Sequence, residues 1–385
     1  MERKEIRTNI LKAYGANASE TEELLAYNEN VFNTASLALP LIFHLASEPH
    51  IATWEKYLAE AKSSGVFEAL KKRLVQLRFP VQEGISQTEM YRAATRKGMI
   101  VDSIAQATNL PLKEPEKLQL LIHQSLAGAI PILIAGNRED FVLLVQAITR
   151  QNEPKFVPAS MGACMIAGFN NWDRIRQYRQ QWQANHPDCS TQTQWEVEFK
   201  RLIPQKELYQ DRFMILSQGP YSDVSAQDLE LCDEEWLQLS LKIRLEHECT
   251  HYFTRRLFNS MRNNLIDELI ADYRGIVSAI DRYRADWFLR FMGLESFPNY
   301  REGGRLQNYR GSLSEGGFKI LQVLIFSAAR NLESFERQQP NKINPIVMLI
   351  ALCSLTLEEL ASEEAQTYIC QAFNTVYGEW VMGNG

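Results

Sequence analysis

The chain has 385 residues, of which 45% are hydrophobic, 23% are charged and 10% are aromatic. This composition is typical of a folded globular protein and excludes a mainly disordered or collagen-like chain. The 41 basic and 47 acidic residues are interspersed and give a net charge of -6, whereas a nucleic-acid-binding protein is expected to carry a basic surface.

Several features favour a cytoplasmic protein. None of the six cysteines forms a C-x-x-C pair, and a chain of this length does not need disulfide bonds. Residues 1–7 carry charges of both signs and lack the apolar stretch of a signal peptide. The most hydrophobic segment, residues 118–136, contains His123, Gln124 and Pro131, which favours a buried helix and strand over a membrane span.

The first 110 residues are predicted to form a helical region. Apolar residues recur three and four positions apart within 24–32 and within 54–77. Pro80 follows the end of the second segment, and a further helix is predicted over 88–97.

Residues 111–230 are predicted to form a mixed α/β region. The run 129–136 is rich in branched side chains and ends at a glycine, which is typical of a buried strand. Residues 195–199 alternate apolar and polar side chains, and 213–217 are a second strand candidate. The segment 170–173 could line a substrate cleft or cap a helix, and the cap is the favoured interpretation.

Residues 231–385 are predicted to be helical again. Helices are expected over 233–258, 265–292, 316–334, 343–360 and 363–377. A polar, glycine-rich loop at 299–317 interrupts them. Leucine and isoleucine alternate strictly from Leu237 to Leu245, as in a strand, but the run exceeds twenty residues without a breaker, which favours a helix. The expected architecture is α+β, mostly helical, with a small sheet between two helical parts.

The segment 247–251 contains the candidate catalytic residues, since it has the sequence His-Glu-Cys-Thr-His. His247 and His251 are four residues apart, so they lie on one face of a helix and can offer two imidazole nitrogens to one metal ion. Glu248 projects about 100° away from His247, which is the geometry of a general base rather than a ligand. A catalytic zinc site needs a third protein ligand from elsewhere in the chain.

A second predicted helix supplies that ligand. Glu268 lies seventeen positions after His251, and Asp272 is four residues further on the same face. One carboxylate can bind the metal while the other accepts the spare N–H of a liganding histidine and fixes its tautomer. The loop at 259–264 would let this helix fold back antiparallel on the first.

These two segments resemble the gluzincin zinc metallopeptidases. That family carries H-E-x-x-H on one helix and a liganding Glu in an N-E-x-x-S-D-like segment on the next. Residues 247–251 match the first element. Residues 267–272 match the second, with Asp in place of Asn and Ala in place of Ser. The rest of the chain does not resemble a characterised peptidase.

The resemblance implies a zincin-like core and a Zn²⁺ cofactor. The implied zinc ligands are His247, His251 and Glu268. Glu248 would be the general base, and Asp272 would support a ligand from outside the coordination sphere.

Two departures from the family pattern define further expectations. The gap between His251 and Glu268 is a few residues shorter than the family's usual one. No histidine follows His251 in the sequence, so a tyrosine or an arginine must stabilise the oxyanion. The candidates lie in or near the glycine-rich loop: Tyr300 and Tyr309, with Arg301, Arg305 and Arg310.

The sequence therefore predicts a zinc-dependent hydrolase, foremost a metallopeptidase acting on a peptide or peptide-like substrate, without nucleic-acid or membrane partners. In zincin-like folds a strand before the metal-binding helix pairs with an extended peptide, so 213–217 is the candidate edge strand. One alternative is a zinc hydrolase of a small amide, ester or peptide-like metabolite. Another is a helical interaction protein without catalytic activity. Cys249 is expected to be a buried, inert thiol.

Overall fold

The computed structural model describes residues 3–34, 37, 43–100, 107–187, 191–260, 264–339 and 341–384. The helices are α1 (Arg3–Ala13), α2 (Ala18–Tyr27), α3 (Ile51–Ser64), α4 (Val66–Lys71), α5 (Glu89–Lys97), α6 (Arg138–Thr149), α7 (Trp172–Asn185), α8 (Gln192–Leu202), α9 (Asp233–Phe258), α10 (Leu265–Ile280), α11 (Ala285–Met292), α12 (Glu315–Arg337), α13 (Pro345–Ser354), α14 (Leu357–Ala361) and α15 (Ala365–Asn384). The strands are β1 (Gln119–Ser125), β2 (Gly128–Ile134), β3 (Ala163–Asn170) and β4 (Gln210–Leu216).

The chain forms two compact units. The first, called here the helical unit, comprises Met1–Leu45 and Pro220–Gly385. The second, the mixed unit, comprises Ala46–Gly219 and contains the sheet. The structure thus divides the chain differently from the three predicted regions, because the first 110 residues are shared between the two units.

The sheet of the mixed unit has four strands in the order β1-β2-β4-β3. Strand β2 is buried along its whole length and pairs antiparallel with β1 and parallel with β4. Strand β4 also pairs antiparallel with β3. The prediction that 213–217 form an edge strand is therefore wrong, since the backbone groups of β4 bind a neighbouring strand on each side.

Two local predictions in the mixed unit have opposite outcomes. Residues 195–199 lie in α8, not in a strand, because a capping box between Thr191 and Gln194 starts a helix that buries Trp195 and Leu202. The expected cap at 170–173 is confirmed, since the side chain of Asn171 accepts hydrogen bonds from the first amides of α7.

Ion pairs join the N-terminal helix α1 to the C-terminal helix α14 within the helical unit. Arg7 of α1 donates to Glu358 of α14 at 3.1 Å, and the Glu358 side chain is fully buried. Arg3 pairs with Glu359 of the same helix at 2.6 Å. These pairs hold α1 against α14 and join residues that are 356 and 351 positions apart in the chain.

The helix bounds in this unit agree in part with the predicted ones. Helix α9 spans 233–258 as predicted. The predicted helix 265–292 is instead two helices, because Asp281 adopts a left-handed conformation with φ 58° and ends α10. The predicted helix 343–360 is also divided, because Thr356 begins α14 with its own capping box. The mostly helical α+β class is confirmed.

Within the described ranges, no helix combines the length and the apolar character that a bilayer span requires.

Candidate metal centre

Helices α9 and α10 of the helical unit bring the two motif segments together. The helices pack so closely that a Cβ atom on Gly275 would lie 2.8 Å from the carbonyl oxygen of Ile243. From this contact the helices run antiparallel, so His247, one turn after Ile243, faces Asp272. One turn further along α9, His251 faces Glu268.

The three predicted ligands converge on one point. The Nε2 atoms of His247 and His251 are 3.1 Å apart, and each lies 3.5 Å from a carboxylate oxygen of Glu268. All three residues are buried. A tetrahedral zinc ion with bonds of about 2.0–2.1 Å separates its ligand atoms by about 3.3 Å. The side chains are therefore spaced as the ligands of one zinc ion would be, and three ligands leave the fourth position open.

The charge of the site also fits a divalent cation. With neutral imidazoles, the buried carboxylates of Asp267, Glu268 and Asp272 and the guanidinium of Arg305 sum to −2. Protonation of both histidines would restore neutrality, but it would direct two N–H groups at each other across 3.1 Å. One divalent cation restores neutrality without that repulsion.

Asp272 fixes the tautomer of His247. Its Oδ1 atom lies 2.8 Å from Nδ1 of His247 and accepts the hydroxyl proton of Tyr221 at 2.5 Å. Burial is the largest single effect and raises the pKa of Asp272, but Arg305 and His247 together outweigh burial and hold this pKa below its usual value. An ionised Asp272 accepts the Nδ1 proton of His247, which leaves the lone pair of Nε2 directed at the metal position.

His251 has a separate carboxylate partner. Its Nδ1 atom lies 3.2 Å from Oδ2 of Asp267, close enough for an ionic contact although the angle is poor for a hydrogen bond. The Asp267 side chain is fully buried. Each of the two histidines thus has its own carboxylate on α10, an arrangement that also occurs where outer carboxylates orient zinc ligands.

A 3-10 helix over Arg305–Tyr309 forms the other wall of the site. Nη2 of Arg305 makes a very short contact with Oδ2 of Asp272 and lies 3.9 Å from Oε2 of Glu268. The hydroxyl of Tyr309 hydrogen-bonds the carboxylate of Glu268. Burial is the largest effect that raises the pKa of Tyr309, and the neighbouring charge of Glu268 raises it further. At neutral pH this tyrosine is therefore a hydrogen-bond donor.

Tyr300, the other predicted oxyanion group, is engaged within its own loop. Its hydroxyl donates to the carbonyl of Gly304 at 2.8 Å and accepts from the amide of Gln307 at 3.1 Å. Its ring packs edge-on against Phe318. Of the two tyrosines, the structure brings Tyr309 to the ligands and gives Tyr300 a part in shaping the loop.

The remaining residues of the motif occupy their expected environments. Glu248 is partly exposed on α9, next to His247, and is separate from the carboxylates that support the histidines. Cys249 is buried, and burial raises the pKa of its thiol well above the usual value, as expected of an inert cysteine.

Sequence reasoning missed two residues of the site and left a third unassigned. Tyr221 is not among the predicted site residues, and Asp267 enters the prediction only as a residue of the motif match. Arg305 was one of five candidates in the loop. A carboxylate next to a liganding Glu was an available signal for Asp267, whereas Tyr221 reaches His247 across 26 positions of the chain, a contact no local pattern encodes.

Comparisons with known proteins identify a family for the chain. No curated protein and no solved structure has a significant match to the chain. A family model matches residues 9–364, which include every residue of the candidate metal centre. The chain therefore belongs to the family of unknown function DUF7005.

Proposed function

We propose that this protein is a zinc-dependent hydrolase, foremost a metallopeptidase. The observation that carries the proposal is the convergence of His247, His251 and Glu268 with ligand atoms 3.1–3.5 Å apart. The separate carboxylate partners of the two histidines further support a metal site, since such partners orient zinc ligands.

The reaction assigns distinct tasks to the residues of the chain. When bound, zinc polarises a carbonyl and favours the ionisation of water near neutral pH. Glu248 accepts one proton from the attacking water as the oxygen bonds to the substrate's carbonyl carbon. It returns that proton to the leaving nitrogen as the C–N bond breaks. Tyr309, whose hydroxyl donates to Glu268 in the absence of substrate, would redirect this hydrogen bond to the negative charge that develops on the carbonyl oxygen.

A second candidate function differs from the first in its substrate. A peptide was expected partly because 213–217 resembled an edge strand, and β4 is an interior strand. This finding removes the strand-pairing support for a peptide and favours, as the second candidate, hydrolysis of a small amide or ester. Panels of peptides and of small amides and esters, assayed with zinc-loaded protein, separate the two candidates.

The variant E248Q tests the mechanism. It replaces one carboxylate oxygen by an amide, so the zinc content and the thermal stability should stay the same. The amide does not accept a proton at neutral pH, so turnover of a substrate found in the panels should fall about 100- to 10,000-fold. Glu246, two residues earlier and paired with Arg274 at 3.2 Å, provides the matched control. E246Q should retain turnover.

Two results would refute the proposal. One is wild-type protein that binds no stoichiometric zinc, which would favour a non-catalytic interaction protein. The other is E248Q protein that hydrolyses the substrate at a near-normal rate.

A further inference from the structure

We propose that Arg305 is a positioning residue of the metal centre, whose positive charge balances Asp272 and fixes its carboxylate against His247. This inference rests on the proposed zinc site. It adds a third segment of the chain, the 3-10 helix Arg305–Tyr309, to the two helices that carry the ligands.

The contacts of Arg305 are all directed into the site. Nη1 donates to the hydroxyl of Tyr221 at 3.0 Å and to the hydroxyl of Ser222 at 2.9 Å. Nη2 donates to Oδ2 of Asp272. The guanidinium also lies over the ring of Tyr221, 5.4 Å from its centroid. Only 10% of the Arg305 side chain is exposed, so its charge is not screened by solvent as a surface arginine's would be.

These contacts hold the two oxygens of Asp272 in different roles. Arg305 binds Oδ2, which leaves Oδ1 for His247 and for the hydroxyl of Tyr221. Since Arg305 also binds Tyr221, the same guanidinium restrains both the Asp272 carboxylate and the tyrosine hydroxyl that donates to its Oδ1. Rotation of the carboxylate away from His247 would break the contact with Arg305.

The charge balance of the site requires the positive charge of Arg305 and not only the volume of its side chain. With a divalent cation and neutral imidazoles, the three buried carboxylates and this one guanidinium sum to zero. A neutral side chain at position 305 would leave a buried negative charge, and Asp272 would lose its cationic partner. Removing one partner of a buried ion pair is costly because the other charge remains in a poorly solvated place.

The backbone around Gly304 explains why the arginine reaches the site. A Cβ atom on Gly304 would lie 2.6 Å from the carbonyl oxygen of Met292 and 2.7 Å from Cα of Gly293. Tyr300 donates to the Gly304 carbonyl, and Arg301 donates its amide to Gly293 at 2.8 Å. The loop is thus held against the end of α11 immediately before Arg305.

Three arginine variants test the proposal by zinc affinity, measured by competition with a chromophoric chelator. R305Q should bind zinc about 10- to 100-fold more weakly than the wild type. R305K retains the charge but not the forked geometry, so it should lose less than about tenfold. R310Q is the matched control, since Arg310 lies in the same segment, contacts Phe318 and Glu315, and should not affect zinc binding. Equal losses in R305K and R305Q would overturn the role of the charge.

A double variant keeps the test informative where R305Q folds poorly. If Arg305 acts by balancing Asp272, then R305Q should cost less than about threefold in zinc affinity on a D272N background. D272N/R305Q should also fold where R305Q alone does not. A full additional loss in the double variant would show a role in packing and would overturn the proposal. Wild-type protein that binds no zinc would refute the zinc site itself, whereas wild-type binding with an unaffected R305Q would refute only this inference.

Discussion

Removing the metal should destabilise the helical unit by an amount that follows from simple linkage. A ligand that binds only the folded state stabilises it by about 4 kcal/mol when its free concentration is a thousand times its Kd. The unit that holds His247, His251 and Glu268 has roughly 200 residues, for which 1 kcal/mol corresponds to a Tm change of about 2–4 °C. We therefore expect zinc at this excess to raise Tm by about 8–16 °C.

Thermal denaturation of chelator-treated protein, with and without added zinc, measures this difference. The variants H247A and H251A are the controls, because each removes one ligand from a three-ligand site and should abolish most of the zinc-dependent change. The same change in Tm in wild type and in both variants would place zinc elsewhere on the protein. No change in the wild type would refute the charge argument, since a site of −2 should gain stability from a dication.

Two further predictions concern protons and ligands. Burial lowers the pKa of His251, but the carboxylates of Asp267 and Glu268 outweigh it and raise this pKa well above its ordinary value of 6.5. Without metal, the resulting stabilisation is complete below about pH 6.5 and is lost as the pH rises through the raised pKa, while zinc needs the neutral ring. The zinc-dependent rise in Tm should therefore grow from pH 6.5 to about 8.5, and melts showing a decrease would contradict this. E268A should abolish tight zinc binding and D272A should weaken it about 10- to 100-fold; chelator competition showing the opposite order would reverse their roles.

Helix α9 shows that the secondary structure of a long segment can be predicted from its sequence. The alternation from Leu237 to Leu245 favours a strand when taken alone, yet 233–258 form a helix with the predicted bounds. Length decided this case, because a run of 26 residues without a breaker far exceeds an ordinary strand. Residues 195–199 show the same alternation over five residues, where length gives no help and only the cap at Thr191 indicates a helix.

The order of the strands could not be read from the sequence. Strand β4 follows β3 in the chain and pairs with it, but it also pairs with β2, about 80 residues earlier, through a parallel contact. A strand's own residues do not show whether one or both of its edges are occupied. The prediction of an edge strand failed for this reason.

The residues of the candidate site also differ in whether a local sequence pattern predicts them. The three candidate ligands lie on two helices that are neighbours in sequence, so helical periodicity was sufficient to predict that their side chains come together. Tyr221 and Arg305 approach Asp272 from positions 51 residues before it and 33 residues after it. Their placement depends on turns and on the packing of a loop, neither of which has a sequence period.

The short gap between His251 and Glu268 illustrates what sets the geometry of such a site. A shorter connection can still close the helical hairpin, but the sequence alone does not show that Glu268 then reaches the histidines. The ligand atoms nevertheless lie within 4.8 Å of one another. Gly275 accounts for this, because the absence of a side chain lets α10 contact the backbone of α9 at Ile243. That contact lies one turn before His247 on α9 and three residues after Asp272 on α10. The distance between the helices is therefore fixed on the far side of the ligands from the loop, and the length of the loop need not control it.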